Sequence, residues 1–313
     1  MRRREQRHPL FRRRKLNVPN WNEQLDEARA IGGPNDVLRR KYLKRLQAAT
    51  KRNVIIYYSG WLQKPTASGL GIEDEDKNGL MSTVNKLDRS KGLDLILHTP
   101  GGDIASTESF VDYLHSMFGT DIRAIVPQLA MSGGTMLACA CKTIIMGKQS
   151  SLGPVDPQLW GLAAHGVIEE FNEACKDIKA DPSRVPIWQP IMAKYAPTLI
   201  GECQKAIKWS ELLVRQWLAR GMLSGDPQQG TKIDQIVTGL GNHALTLSHA
   251  RHLSAESCRT MGLKVEMMED QQKLQDAILD VHHASMLTLS MTTACKIIEN
   301  HLGVAYIKVV RTP

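Results

Sequence analysis

Apolar residues along the chain alternate between two rhythms. Short runs rich in β-branched residues, NVIIYYSGW (53–61), LDLILH (93–98), DIRAIVP (121–127) and KTIIMG (142–147), are bounded by turn residues and predict strands. Between them lie stretches with helical spacing: about 79–90, then IASTESFVDYLHSMF after TPGGD, and the run opened by SGG at 132–134. Strands alternating with helices through short loops predict an α/β fold built on a parallel sheet, with all strand C-termini on one edge. The turns carrying Gly101-Gly102 and Gly133-Gly134 both follow strands into helices. They are expected to meet at that edge although about thirty residues part them.

The flanks read as helical. NEQLDEARAIGG and NDVLRRKYLKRLQAATKR (22–51) form a predicted arm, with Asn35 as a cap. Residues 63–79 and KQSSLGPVDPQLWG read as loops, and helices are expected over about 167–180 and 232–241. The strongest helix is 197–220, where Leu199, Cys203, Ala206, Ser210, Leu213 and Trp217 recur at helical spacing and Pro197 suits the first turn. SAESCRTMGL predicts a short capped helix ending at Gly262, 268–301 a long helical stretch, and GVAYIKVV a closing strand. The expected organisation is a basic tail (1–20), a helical arm (21–52), a core domain (53–266) and a C-terminal helical extension (267–313).

Composition adds little until charge is located. Of the net +8, residues 1–15 carry +7 through eight Lys/Arg and one Glu, so the body is nearly neutral. The Arg-rich tail is a solvated terminus or a contact for anionic lipid, RNA or protein. Aromatics at 5% argue against a stacking platform for single-stranded nucleic acid. No run of 18 apolar residues predicts a membrane span, and the basic N-terminus lacks the apolar core of a signal peptide, so a cytoplasmic protein is expected. The six cysteines form no CxxC and read as reduced core thiols; with no metal-ligand spacing and no P-loop, neither metal nor other cofactor is expected.

The chemistry concentrates in LAMSGGTMLACAC. A serine at a strand-to-helix turn presents its hydroxyl where helix N–H groups favour an anion, and Gly133 and Gly134 let a substrate come close. The same text also suits an N-cap and a turn. HTPGGD supplies a second turn, in which Asp103 is expected to cap the next helix. Together the turns offer one nucleophile and N–H donors from two segments, as acyl transfer from serine requires.

The base is less defined. His98, at a strand end beside PGG, and His249 and His252 in SHARHLS are candidates; so are Lys148, Lys176 and Lys179. Helical geometry points Lys205 and Lys208 to water, away from the apolar stripe. Lys194 has apolar neighbours and precedes the N-terminus of the strongest helix, two factors that disfavour its ammonium form, so Lys194 is the favoured base.

LILHTPGGDIASTESFVDYL, AMSGGTMLAC, MGKQSSLGPVDPQ, KYAPTLIGECQKAI and RHLSAESCRTMGL together resemble the serine dehydrogenase proteinase family. That family belongs to the Clp protease/crotonase superfold and is related to ClpP and the signal peptide peptidase SppA; the resemblance covers roughly 53–265. It implies a spiral of β-β-α units and an ATP-independent serine endopeptidase that acts on polypeptides and assembles as a homo-oligomer. It implies Ser132 as nucleophile, the N–H groups of Gly102 and Gly133 as oxyanion hole, and Gly101 and Gly134 beside the substrate. ClpP relatives place a histidine shortly after the serine. Here that neighbourhood reads GPVDPQ, with Asp156 and no histidine, so the triad does not transfer; SppA relatives use a Ser-Lys dyad, which Lys194 fits loosely while Lys176, Lys179 and Lys205 remain open. The rivals are a crotonase-like acyl-CoA enzyme, which needs an acid/base carboxylate at the elbow, and a degenerate peptidase serving as a scaffold or adaptor.

Overall fold

The computed structural model describes Gln24, Glu27 and residues 35–241 and 250–310. The strands predicted from β-branched runs form β1 (Asn53–Ser59), β2 (Leu93–His98), β3 (Ile122–Val126) and β5 (Thr143–Met146). The helices between them are α2 (Asp76–Val84), α3 (Ile104–Phe118) and α4 (Gly133–Cys139). Asp103 caps α3 as expected, accepting from the Ser106 N–H at 2.8 Å.

With β10 (Val265–Met267), β11 (Ala294–Asn300) and β12 (Ala305–Val309) these strands build one sheet, in the order β10-β5-β3-β2-β1-β11-β12. Its first five strands run parallel; β11 and β12 continue it antiparallel beyond β1. The continuous apolar runs arise because the sheet is covered on both faces. Ile55, Tyr57, Leu95, Leu97, Ala124 and Val126 point into one core. Val54, Ile56, Tyr58, Ile96 and Ile125 point into the other, against α1 (Asn35–Thr50) and α10 (Gln272–Met291).

A small second sheet, β4 (Leu129–Ala130), β6 (Ser151–Leu152) and β9 (Leu253–Ser254), lies across the C-terminal edge of the large one. Each chain segment leaving the large sheet therefore runs briefly through the small sheet and then into a helix. This is the β-β-α repeat: β3-β4-α4 shows it in full, and β2, the Thr99–Ala130 bridge and α3 repeat it. A hairpin, β7 (Gln158–Leu159) and β8 (Leu162–Ala163), leads into α5 (Ala164–Ala180), followed by α6 (Val185–Met192), α7 (Leu199–Arg220) and α8 (Gln229–Gly241). The short α9 (Ala255–Thr260), capped by Ser254, returns the chain to β10.

ADPSRVPIWQP, for which the sequence predicts no element, holds most of α6, eight residues with Pro190 inside and none of them buried. Two expectations need correction. Helix α7 starts after Thr198, so Pro197 precedes it instead of occupying its first turn. The predicted helix over 268–301 divides: α10 ends at Met291 and 294–300 are strand β11, so the C-terminal extension is not all helix. ACKIIEN hides its strand character because Lys296 and Glu299, normally surface residues, are fully buried in it. Lys296 Nζ lies 2.7 Å from Asp76 Oδ1 and donates to the Gly71 carbonyl at 2.6 Å; Arg39 and Arg40 pair with Glu299. The expected tail (1–20) lies outside the described residues. No helix among the described residues is long and apolar enough to cross a membrane. Five cysteines are buried free thiols, and Cys175 is exposed.

Two predictions follow from this core. Lys296→Met strands the Asp76 carboxylate and should destabilise the fold by about 3–5 kcal/mol, read from urea midpoints; replacing both partners with apolar residues should recover most of that loss. On the α10 side, burial lowers the His98 pKa to about 3 and drives that of His282 well below its ordinary value. Above pH ~6.5 both are neutral whether folded or unfolded. As pH falls from there towards 3, the unfolded chain binds protons that the folded one refuses, so stability drops by up to ~1.4 kcal/mol per pH unit per histidine. Asp280, raised to about 6 mainly by burial, works the other way between pH 6 and its unfolded value, but it is one group against two. The urea midpoint should therefore fall from pH 7 to pH 5, and less steeply in His98→Leu.

Candidate active site

The two glycine turns do converge. Thr99 N donates to Leu129 O at 3.1 Å and Met131 N to Thr99 O at 3.0 Å, so the segment after β2 is clamped to β4. Gly101 then passes Ser132 so closely that a Cβ on it would stand 2.7 Å from Ser132 Cβ and 2.8 Å from Gly133 N. Its φ of +98° is also one that side chains resist, so glycine is required on both counts. Beyond it, Ile72 N donates to Gly101 O at 2.7 Å and Asp103 N to Ile72 O at 3.0 Å. In such a bridge the residue between, Gly102, turns its own N–H to the opposite side. A Cβ on Gly133 would lie 3.2 Å from that Gly102 nitrogen, so the two amides are neighbours. Among the described residues neither N–H donates to a backbone carbonyl.

Ser132 occupies the N-cap position of α4 but does not cap it: its hydroxyl makes no bond to the helix. Its backbone is held at φ +49°, ψ −113°, a conformation costly for a non-glycine residue. The neighbouring bonds hold it there, Gly134 N to Met131 O at 2.7 Å and Met136 N to Ser132 O at 3.0 Å. The half-buried serine borders a cleft of about 640 Å³. The cleft is lined by the first glycine turn and the start of α3 (100–104), by Ser132, Gly133 and Met136, by 155–159, and by Glu202, Lys205, Ala206, Trp209 and Ser210 of α7.

Lys205 is the one lysine, arginine or histidine among the described residues that line this cleft, and its Nζ lies 2.9 Å from Glu202 Oε1. Asp156 also borders the cleft and is 2% exposed. Burial, and then the Asp156 carboxylate, push the Cys203 thiol up.

The remaining candidates lie elsewhere. Lys194 is exposed just beyond α6 and does not line the cleft. Lys148 is exposed at the end of β5, with its N–H on Glu269. Lys176 and Lys179 border a separate groove along α5. His98 is fully buried on the α10 face, stacked 4.3 Å from the Trp61 ring, and its depressed pKa marks it as a neutral core imidazole. His252 is exposed near β9, and His249 lies outside the described residues. Gly134 faces inward, where a Cβ would meet Thr99 Cγ2 at 2.5 Å; its smallness serves packing of α4 and not the cleft.

Lys205 is exposed, as its place on the helix predicts, yet with Glu202, Ala206, Trp209 and Ser210 it borders the cleft. Asp156 drew notice in the sequence only because no histidine stands beside it. Three carboxylates, Asp103, Asp156 and Glu202, also border the cleft.

Two archaeal proteins are similar to this chain. The uncharacterized protein MJ0137 of Methanocaldococcus jannaschii is 34% identical over 136 residues, covering 44% of this chain and 45% of that protein. The uncharacterized protein MJ1495 of the same organism is 28% identical over 201 residues, 63% of each chain. A human adenine DNA glycosylase aligns at 26% identity over 204 residues, 59% of this chain and 35% of that protein, too little to carry an inference about activity. The chain thus spans about half to two thirds of the length of its archaeal relatives. A family model described as ClpP-like SDH-type serine proteinase matches residues 35–273, which takes in both glycine turns, Ser132 and the whole cleft, and the chain belongs to that family.

Proposed function

We infer that the protein is a serine endopeptidase that needs no nucleotide, with Ser132 as nucleophile. The observation that carries this reading is Ser132 itself: a strained residue at an N-cap position whose hydroxyl caps nothing and borders the cleft beside two unclaimed amides. Family membership supports peptide hydrolysis in particular. The three carboxylates bordering the cleft would suit a crotonase-like reaction, but membership in a serine proteinase family weighs against it.

In this mechanism Ser132 Oγ attacks the peptide carbonyl carbon, and the Gly102 and Gly133 N–H groups hold the oxygen as it gains charge. The hydroxyl proton passes to a lysine amine and then to the departing amine nitrogen as the C–N bond breaks, leaving an ester on Ser132. Water, giving its proton to the same lysine, releases the acid and restores the serine. We assign that role to Lys205 in place of Lys194, because Lys205 borders the cleft. Proton acceptance requires the free amine, so in this mechanism Lys205 gives up its pairing with Glu202 when the peptide is seated. The substrate would lie extended beside the Gly101-Gly102 segment, adding a strand to the edge there. A homo-oligomer fits the family and the apolar side chains left exposed outside the core, among them Trp160 and Ile187; sedimentation would give its mass.

Labelling by a fluorophosphonate probe, located by mass spectrometry, tests the nucleophile. Wild type should be labelled at Ser132 and Ser132→Ala should not, with peptide turnover in that variant lower by about 10⁴-fold or more. Lys205→Ala should slow labelling and turnover by about 10²–10⁴-fold, while Lys194→Ala stays within about twofold of wild type. The reverse ranking would return the base to Lys194. Gly101→Ala should fold less stably and label poorly, because its Cβ displaces Ser132.

A further inference from the structure

Among the described residues, buried charge is compensated with one exception. Asp76 meets Lys296, Asp94 meets Arg52 and Arg123, Asp280 meets Arg45, and Glu299 meets Arg39 and Arg40. Even Asp276 accepts from Gln272 at 2.7 Å. Asp156 is 2% exposed, and neither of its carboxylate oxygens has a hydrogen-bond partner among the described residues. A carboxylate that has lost its water and gained no partner is a standing cost to the fold. It is not a slack side chain: Pro154 and Pro157 flank its turn, Val155 N donates to Leu240 O at 2.9 Å, and Ala164 N to Pro157 O at 2.9 Å.

The surroundings indicate what would repay the cost. Asp156 borders the same cleft as Ser132. Of the other charges there, Lys205 is already paired with Glu202, and Asp103 accepts from Ser106 N and Oγ. The cleft is thus left with an excess of negative charge centred on its buried member. Met136, Val155 and Trp209 beside it offer apolar walls of the kind that suit a long alkyl stem ending in a cation.

We propose that Asp156 is the specificity determinant of this cleft and that the substrate is a basic polypeptide, a lysine or arginine side chain pairing with the Asp156 carboxylate while a nearby peptide bond lies at Ser132. The inference rests on Ser132 being the nucleophile. It adds the class of peptide that the enzyme selects.

The test uses the full chain and internally quenched peptides that differ at one residue (arginine, lysine, norleucine or glutamate) at each position on either side of the scissile bond. Wild type should cleave the arginine or lysine peptide of one position with kcat/KM about tenfold or more above its norleucine counterpart, and glutamate should be worst. Asp156→Asn should bring the arginine-to-norleucine ratio to within about threefold. A wild type indifferent to charge, or a preference that survives Asp156→Asn, overturns the proposal. So does an equal loss on every peptide, which would move Asp156 into the proton-transfer machinery. Should Asp156→Asn fail to fold, inhibition of wild type is the second measurement. 4-Aminobenzamidine should compete with the norleucine peptide about tenfold better than the matched neutral benzamide, and equal inhibition by the two counts against the proposal. The fluorophosphonate probe separates the two failures. Labelling at Ser132 with arginine and norleucine peptides cut alike removes only the specificity claim. Neither labelling nor cleavage removes the peptidase reading as well.

Discussion

The clamp between Thr99 and β4 is the contact on which the candidate site depends. Two backbone bonds, Thr99 N to Leu129 O and Met131 N to Thr99 O, bring the end of one β-β-α unit against the start of another. With that distance fixed, Gly101 has room for no side chain, Ser132 is held in its strained conformation, and the Gly102 and Gly133 amides become neighbours. The strain is sustainable because the surrounding bonds leave the chain no alternative. A serine free to relax would turn its hydroxyl back onto the helix and cap it.

The far side of the same turn is braced through the interior. Gly102 is bridged to Ile72, and the Gly71 carbonyl just before it receives the buried Lys296 ammonium. Lys296 is held in turn by Asp76, which also accepts from Tyr57 at 2.7 Å and from the Glu73 N–H at 3.0 Å. Strand β11, added antiparallel at the end of the parallel run, thus reaches under the sheet to the loop that orients the candidate oxyanion donor. Buried ion pairs are weak evidence for stability in themselves, but a well-satisfied network fixes one geometry.

Sheet and cleft divide the use of charge between them. Among the described residues every buried carboxylate outside the cleft is matched by a cation or an amide, so that region is finished when the chain folds. In the cleft Asp156 is buried without a match, and α7 contributes Lys205 and Glu202 to the lining. The scaffold is electrostatically closed, whereas the cleft is left open for something the chain itself does not supply.

The sequence by itself determined the parallel strands, the helices between them and the two glycine turns, because apolar periodicity and turn chemistry are local and leave their mark within ten or fifteen residues. It also singled out Ser132, not by SGG alone, which suits any turn, but by its pairing with the second glycine turn at 101–102. What it misread was decided at long range. ACKIIEN looked helical because nothing near Lys296 or Glu299 reveals that Asp76 and two arginines wait more than 200 residues away to neutralise them. Nor could local text show which lysine borders the cleft: Lys194 does not, and Lys205, exposed as its helical position predicts, does. Only the folding of α7 against the two turns put Lys205, Glu202 and Asp156 in one cleft with Ser132. A site assembled from four separated segments has no local signature, and its charge balance exists only once those segments are brought together.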